Sequence, residues 1–132
     1  MNNASVICII DDDIIYQFTI ARILEIQNAA EKIITFSDGE EAFQFISKNM
    51  EEQKDLPDII FLDINMPIMD GWQFLEAFEK IRLQVNKKIA IYLLTSSIDP
   101  TDMARANKIS SITQYLTKPI NPETLRSLIS AR

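Results

Sequence analysis

Apolar and polar positions along the chain alternate between two periods. Continuous apolar runs at "SVICII" (5–10), "DIIFL" (58–62) and "IAIYLL" (89–94) fit strands buried on both faces. "KIITF" (32–36) and "ITQYL" (112–116) are shorter and partly polar, and read as strands of the same set. Between these runs the apolar residues recur at helical spacing: Tyr16, Ile20, Ile23 and Leu24; then Phe74, Phe78 and Ile81; then Leu125, Leu128 and Ile129. Start signals precede the helices. Ser37 with Glu40, and Asp70 with Gln73, have capping-box spacing. Asp99 before Pro100 and Asn121 before Pro122 place a cap ahead of a proline at the first helical position. The pattern predicts five β-α units in one α/β domain over residues 1–132, with a parallel sheet covered by helices on both faces. No linker, internal repeat or low-complexity tract interrupts it.

Composition narrows the function more than the fold. A net charge of −6 argues against nucleic acid as a partner, because phosphate backbones need a basic surface. Cys8 is the single cysteine; inside "VICII" it reads as core filler and cannot form an internal disulfide. No segment approaches the roughly 20 apolar residues of a membrane span. "MNNAS" lacks the basic start of a signal peptide. A soluble cytoplasmic domain without membrane contact is the expectation. The chain has no histidine, which excludes histidine catalysis, histidine-ligated metals and a phosphohistidine carrier role. Gly39 and Gly71 are the only glycines, too few for a P-loop or a dinucleotide fingerprint. Carboxylate, hydroxyl and lysine chemistry remains.

Those groups cluster at strand ends. Asp11 and Asp12 follow the first predicted strand, Asp63 the third, Thr95 and Ser96 the fourth, and Lys118 the fifth after one residue. In a parallel sheet all these ends lie at one edge, where open α/β sheets bind their ligands. Each feature alone has a plain explanation. The aspartate triplet can be a turn with a helix cap, "TSS" a solvated loop, and "KP" a strand stop. Their coincidence at four strand ends argues for one pocket with three carboxylates, a hydroxyl and an ammonium. Hard oxygen donors suit Mg²⁺. Crowded carboxylates raise one another's pKa unless a cation relieves them. An aspartate can also accept a phosphoryl group covalently, with Lys118 and Thr95 as donors to its oxygens.

With these motifs in place the chain resembles the receiver domains of two-component response regulators, close to the single-domain chemotaxis-regulator type. The resemblance rests on "IIDD", "FLDINMPIMDG", "LLTSS" and "YLTKP" in order, and covers essentially the whole chain. It implies a flavodoxin-like, doubly wound sheet of order 2-1-3-4-5 with five helices and no output domain. It implies Asp63 as phosphoacceptor from a sensor histidine kinase or a histidine phosphotransfer protein. Asp12 and Asp63 would bind Mg²⁺ directly, Asp11 chiefly through water, and Asn65 through its backbone carbonyl. Lys118 would pair with a phosphoryl oxygen, over a Lys118–Pro119 bond of the family's frequent cis type. Thr95 and Tyr115 would form the switch, changing a partner face made by the fourth helix, fifth strand and fifth helix. Asn65 and Ser97 would modulate loss of the phosphate. Asp13 is left as a helix-start residue, favoured there by the macrodipole.

One departure from the family lies in "KISSITQYL", which has no glycine where many receivers have Gly-Ala. Two other functions share some of the chemistry. A Mg²⁺-dependent phosphohydrolase of the haloacid-dehalogenase type resembles Asp-x-Asp at its nucleophile, where this chain has "DIN". A scaffold that is never phosphorylated would not need the complete acidic, hydroxyl and lysine set. The chain is therefore expected to be a phosphoacceptor signalling domain, not an enzyme with an external substrate.

Overall fold

The computed structural model describes residues 4–52, 55–96 and 99–131. Strands and helices alternate: β1 (Ala4–Ile10), α1 (Ile14–Ile26), β2 (Ala30–Phe36), α2 (Gly39–Asn49), β3 (Ile59–Asp63), α3 (Gly71–Ile81), β4 (Ala90–Thr95), α4 (Pro100–Asn107), β5 (Ile112–Thr117) and α5 (Pro122–Ala131). A short 3₁₀ turn at Arg82–Gln84 follows α3. All strand pairs are parallel and their order is β2-β1-β3-β4-β5, the flavodoxin-like arrangement expected.

Strands β3 and β4 are buried along their whole length, which is why they read as unbroken apolar runs. The edge strands β2 and β5 keep exposed positions, which is why their signals are weaker. β2 begins two residues before the predicted 32, because Ala30 pairs with Ala4 across the sheet.

Alternate strand residues divide the core into two layers. Cys8, Ile10, Ile60, Leu62, Ile91 and Leu93 pack with Ile46 of α2, Phe74 and Phe78 of α3 and Ala106 of α4. Ile7, Ile9, Ile59, Phe61, Tyr92 and Leu94 pack with Ile20 and Leu24 of α1 and Leu125 and Ile129 of α5. Each fully buried large side chain contributes about 1.5–3 kcal/mol relative to exposure, so these layers hold the sheet rigid beneath its polar edge.

The helix starts follow the sequence with one correction. Asp70 and Gln73 form the complete capping box, Asp99 caps α4, and Asn121 accepts from Thr124 N at 2.8 Å. In α2 the cap is Asp38, not Ser37: Asp38 accepts from Glu41 N at 2.9 Å and the helix begins at Gly39. Both are good cap residues, but Asp38 is the one whose side chain lies over the first turn. At α3 the entry is close. A Cβ on Gly71 would lie 2.6 Å from the carbonyl oxygen of Asp63 and 2.9 Å from Ile64 Cα. Only glycine lets α3 press directly on the backbone that carries Asp63. Among the described residues no helix is long and apolar enough to cross a membrane.

Candidate functional site

The aspartate triplet divides as soon as β1 ends. Asp11 is buried, at 1% exposure, whereas Asp12 is exposed. Asp13 is the N-cap of α1 and accepts from Ile15 N at 3.0 Å and Tyr16 N at 3.2 Å. Its own N–H donates to Asp11 Oδ1 at 2.9 Å, so the cap also steadies the buried carboxylate. Gln17, on the buried face of α1, donates to the carbonyls of Asp11 and Phe36, tying the ends of β1 and β2 to the helix.

Asp63 ends β3 with 6% exposure, and Thr95 ends the adjacent β4 with 3% exposure. Lys118 follows β5, and its N–H donates to Thr95 O at 2.7 Å. The Lys118–Pro119 bond is cis. Lys118 Nζ lies 2.6 Å from Asp11 Oδ2 and 3.3 Å from Asp63 Oδ1. Its ammonium also lies 4.4 Å from the centre of the Tyr16 ring.

Carboxylate oxygens of Asp11, Asp12 and Asp63 all lie within 4.8 Å of one another. Such crowding has an electrostatic cost. Burial, and then the negative charge of Asp11, push the Asp63 carboxyl up to about 6; Lys118 opposes the rise and Asp12 adds to it. Burial alone would lower Lys118, but Asp11 and Asp63 more than offset it and hold the ammonium above its ordinary range. One lysine thus faces three carboxylates and leaves the group short of positive charge. A donor set made only of hard oxygens, open on the Asp12 side, fits a small divalent cation.

Of the remaining expected residues, Asn65 follows Asp63 by two positions and Tyr115 precedes Lys118 by three. Asn65 is exposed in the β3–α3 loop. Tyr115 is half-buried on β5, opposite Leu93 of β4, with its hydroxyl buried and short of a well-formed hydrogen bond. Burial raises this phenol, as do Asp102 and Asp99 of the α4 region, and the neighbouring Thr95 opposes them. Ser96 is exposed, and Ser97 lies outside the described residues.

Two contributors were not anticipated. Gln17 carries one signal in the sequence, a polar residue in register with the buried Ile20 and Leu24. Tyr16 reads as a core residue by its spacing, and only the placement of Lys118 shows its ring to be part of the site.

A profile of the "Response regulator receiver domain" family matches residues 7–130. The chain belongs to the response regulator receiver domain family. The receiver is 29% identical to a two-component response regulator from Cytophaga hutchinsonii whose solved structure superposes with a TM-score of 0.86, covering 98% of this chain and 96% of that one. It is 28% identical to the chemotaxis protein CheY4 of Vibrio cholerae, with a TM-score of 0.76 over 96% and 97% of the two chains. Among curated proteins it is 35% identical over 95 residues to hybrid signal transduction histidine kinase D of Dictyostelium discoideum. That match covers 70% of this chain and 6% of the kinase. The match to the probable transcriptional regulator ycf27 of Guillardia theta, 30% identical, covers 75% of this chain and 34% of that protein. The receiver therefore spans only a fraction of the length of these two curated relatives, though nearly all of the two solved chains.

Proposed function

We propose that this receiver is a Mg²⁺-dependent phosphorylation switch of the cytoplasm, in which Asp63 accepts a phosphoryl group from a sensor histidine kinase or a histidine phosphotransfer protein. The observation that carries the reading is the placement of Asp63: a buried strand-end carboxylate, 3.3 Å from an ammonium and grouped with two further carboxylates. Relatives that are themselves histidine kinases, from Dictyostelium discoideum and Helicobacter pylori, support a donor of that class.

In the transfer an Asp63 carboxylate oxygen attacks phosphorus. The new O–P bond forms as the donor's N–P bond breaks, and the electron pair leaves on the imidazole nitrogen, which takes a proton from solvent. Lys118 supplies positive charge to the phosphoryl oxygens, turning from Asp11 towards them. Asp11, Asp12, Asp63 and the backbone carbonyl of Asn65 would hold Mg²⁺. The metal would offset the carboxylate charge and bind phosphoryl oxygen. The domain thereby catalyses only its own phosphorylation and dephosphorylation.

Thr95 and Tyr115 would transmit the change to the face of α4, β5 and α5, where a downstream protein binds. Their proximity supports this, as does the light anchoring of α4, in which only Ala106 is buried. Asn65 and Ser97 would set the lifetime of the phosphate, as the resemblance implies.

Intact-protein mass spectrometry after incubation with acetyl phosphate and Mg²⁺ tests the reading. One labile phosphoryl adduct is expected, absent in Asp63→Asn and absent without metal. An adduct that survives Asp63→Asn, or steady hydrolysis of a phosphomonoester, would overturn it.

A further inference from the structure

We infer that Tyr16 is a positioning residue for phosphoryl transfer: its ring face holds the Lys118 ammonium beside Asp63 without occupying the hydrogen-bond donors that an incoming phosphoryl group needs. This rests on the reading of Asp63 as phosphoacceptor. The geometry has two sides. On one, Lys118 Nζ meets Asp11 at 2.6 Å and Asp63 at 3.3 Å. On the other, the same nitrogen sits 4.4 Å from the Tyr16 ring centre. The lysine side chain is only 14% exposed, so the ring replaces water that the ammonium would otherwise keep.

The choice of an aromatic wall has a chemical reason. A lysine ammonium carries three N–H donors on a flexible stem. A carboxylate or amide at position 16 would accept one of them and add another competitor to the site. An aliphatic side chain would offer the ammonium no attraction on the side facing away from Asp11 and Asp63. A ring face attracts the cation through its quadrupole and accepts no conventional hydrogen bond. It therefore restrains the stem while leaving a donor for the phosphoryl oxygen.

The backbone that carries the ring is fixed at the start of α1. Asp13, the third aspartate of the triplet, caps the first turn of α1 and accepts from Tyr16 N at 3.2 Å. The Tyr16 hydroxyl is buried towards the backbone of Ile120, just past the lysine, without a well-formed hydrogen bond. The hydroxyl thus contributes little that a phenylalanine would lack, and the ring face is the part of the residue that acts.

Tyr16→Phe and Tyr16→Leu separate this role from simple packing, because both keep an apolar side chain and only one keeps the ring. Phosphorylation by acetyl phosphate with Mg²⁺ is followed by intact mass against time. Tyr16→Phe is expected to match the parent rate, and Tyr16→Leu to be slower by roughly three- to tenfold, the range a cation–π contact supports. The second readout uses the metal-free protein. The Lys118 ε-methylene protons should resonate upfield in the parent and in Tyr16→Phe, and return to ordinary positions in Tyr16→Leu. Equal rates in the two variants, equal slowing of both, or unshifted Lys118 resonances in the parent would overturn the inference. If the parent takes no phosphate, the function proposed for Asp63 fails, while the Lys118 resonances still decide whether Tyr16 positions the lysine. Should Tyr16→Leu not fold, Tyr16→Met replaces it.

Discussion

Asp58 and Asp63 stand at opposite ends of the same strand, and their surroundings are opposites too. Asp58 precedes β3. Its Oδ2 accepts from Ser5 N at 2.7 Å and Val6 N at 3.1 Å, and its Oδ1 pairs with Lys87 at 2.9 Å. Lys87 in turn donates to Leu56 O at 2.9 Å. Burial works to raise the Asp58 carboxyl, but Lys87 and the two amides outweigh it and hold it below the usual range. Asp63 faces two carboxylates and one shared ammonium, and is pushed up to about 6. At one end of β3 the charge is met by the fold; at the other it is left to be met by something else. A carboxylate held low by fixed donors fastens β1 to β3. One held high by its neighbours is poised for a ligand.

The sharpest way to separate the two ends is to neutralise each. Asp63→Asn should abolish phosphorylation by acetyl phosphate, whereas Asp58→Asn should leave the adduct intact under the same conditions. Stability should respond the other way. Asp58→Ala leaves two amide groups without their acceptor and takes from Lys87 its charged partner, and should cost about 2–4 kcal/mol in urea denaturation. Asp63→Asn in the metal-free protein should raise stability, because it removes a carboxylate that the fold destabilises.

Acidity gives the next test. A carboxyl raised on folding binds its proton more tightly in the folded chain than in the unfolded one. The Asp63 contribution is therefore fully present below 3.8 and lost as pH rises through about 6. The metal-free melting temperature should fall across that window. Asp63→Asn should remove this fall, and Mg²⁺ should offset it. Asp58 lies outside the window, since a carboxyl held low loses its contribution only as pH drops below the ordinary value.

The smallest effect is conformational. Ile68, in the loop after Asp63, is 73% exposed and has φ 67°, a left-handed backbone that β-branched residues disfavour. Ile68→Gly should stabilise the chain by about 1 kcal/mol in the same urea assay. No gain would mean that contacts of the isoleucine side chain already offset the strain.

Much of this was legible in the sequence because it depends on period and position. The central strands announce themselves by two-sided burial, and the site follows from which polar residues end them. Asp13 as cap, Asp70 with Gln73, and the meeting of Asp11, Asp63, Thr95 and Lys118 at one sheet edge are consequences of local chemistry and parallel topology; that Lys118 pairs with Asp11 is seen only in the structure. What stayed hidden depends on tertiary approach. Asp58 reads as the first residue of an apolar run, and nothing local shows that Ser5, Val6 and Lys87 converge on it. Gln17 and Tyr16 lie on a helix whose spacing is visible, but the groups they touch belong to β1, β2 and the loop after β5. The α2 cap moved from Ser37 to Asp38 because two adjacent residues both suit the role and only the chain's path selects one.

The most direct test of the contrast is a carbon-13 NMR titration of the aspartate carboxyls, first metal-free and then with Mg²⁺. The account predicts that Asp63 titrates near 6 without metal and moves sharply down when Mg²⁺ is added, while Asp58 titrates below the ordinary carboxylate range and does not respond to Mg²⁺. An Asp63 carboxyl that titrates at or below 3.8 without metal, or one that Mg²⁺ leaves unmoved, would contradict it.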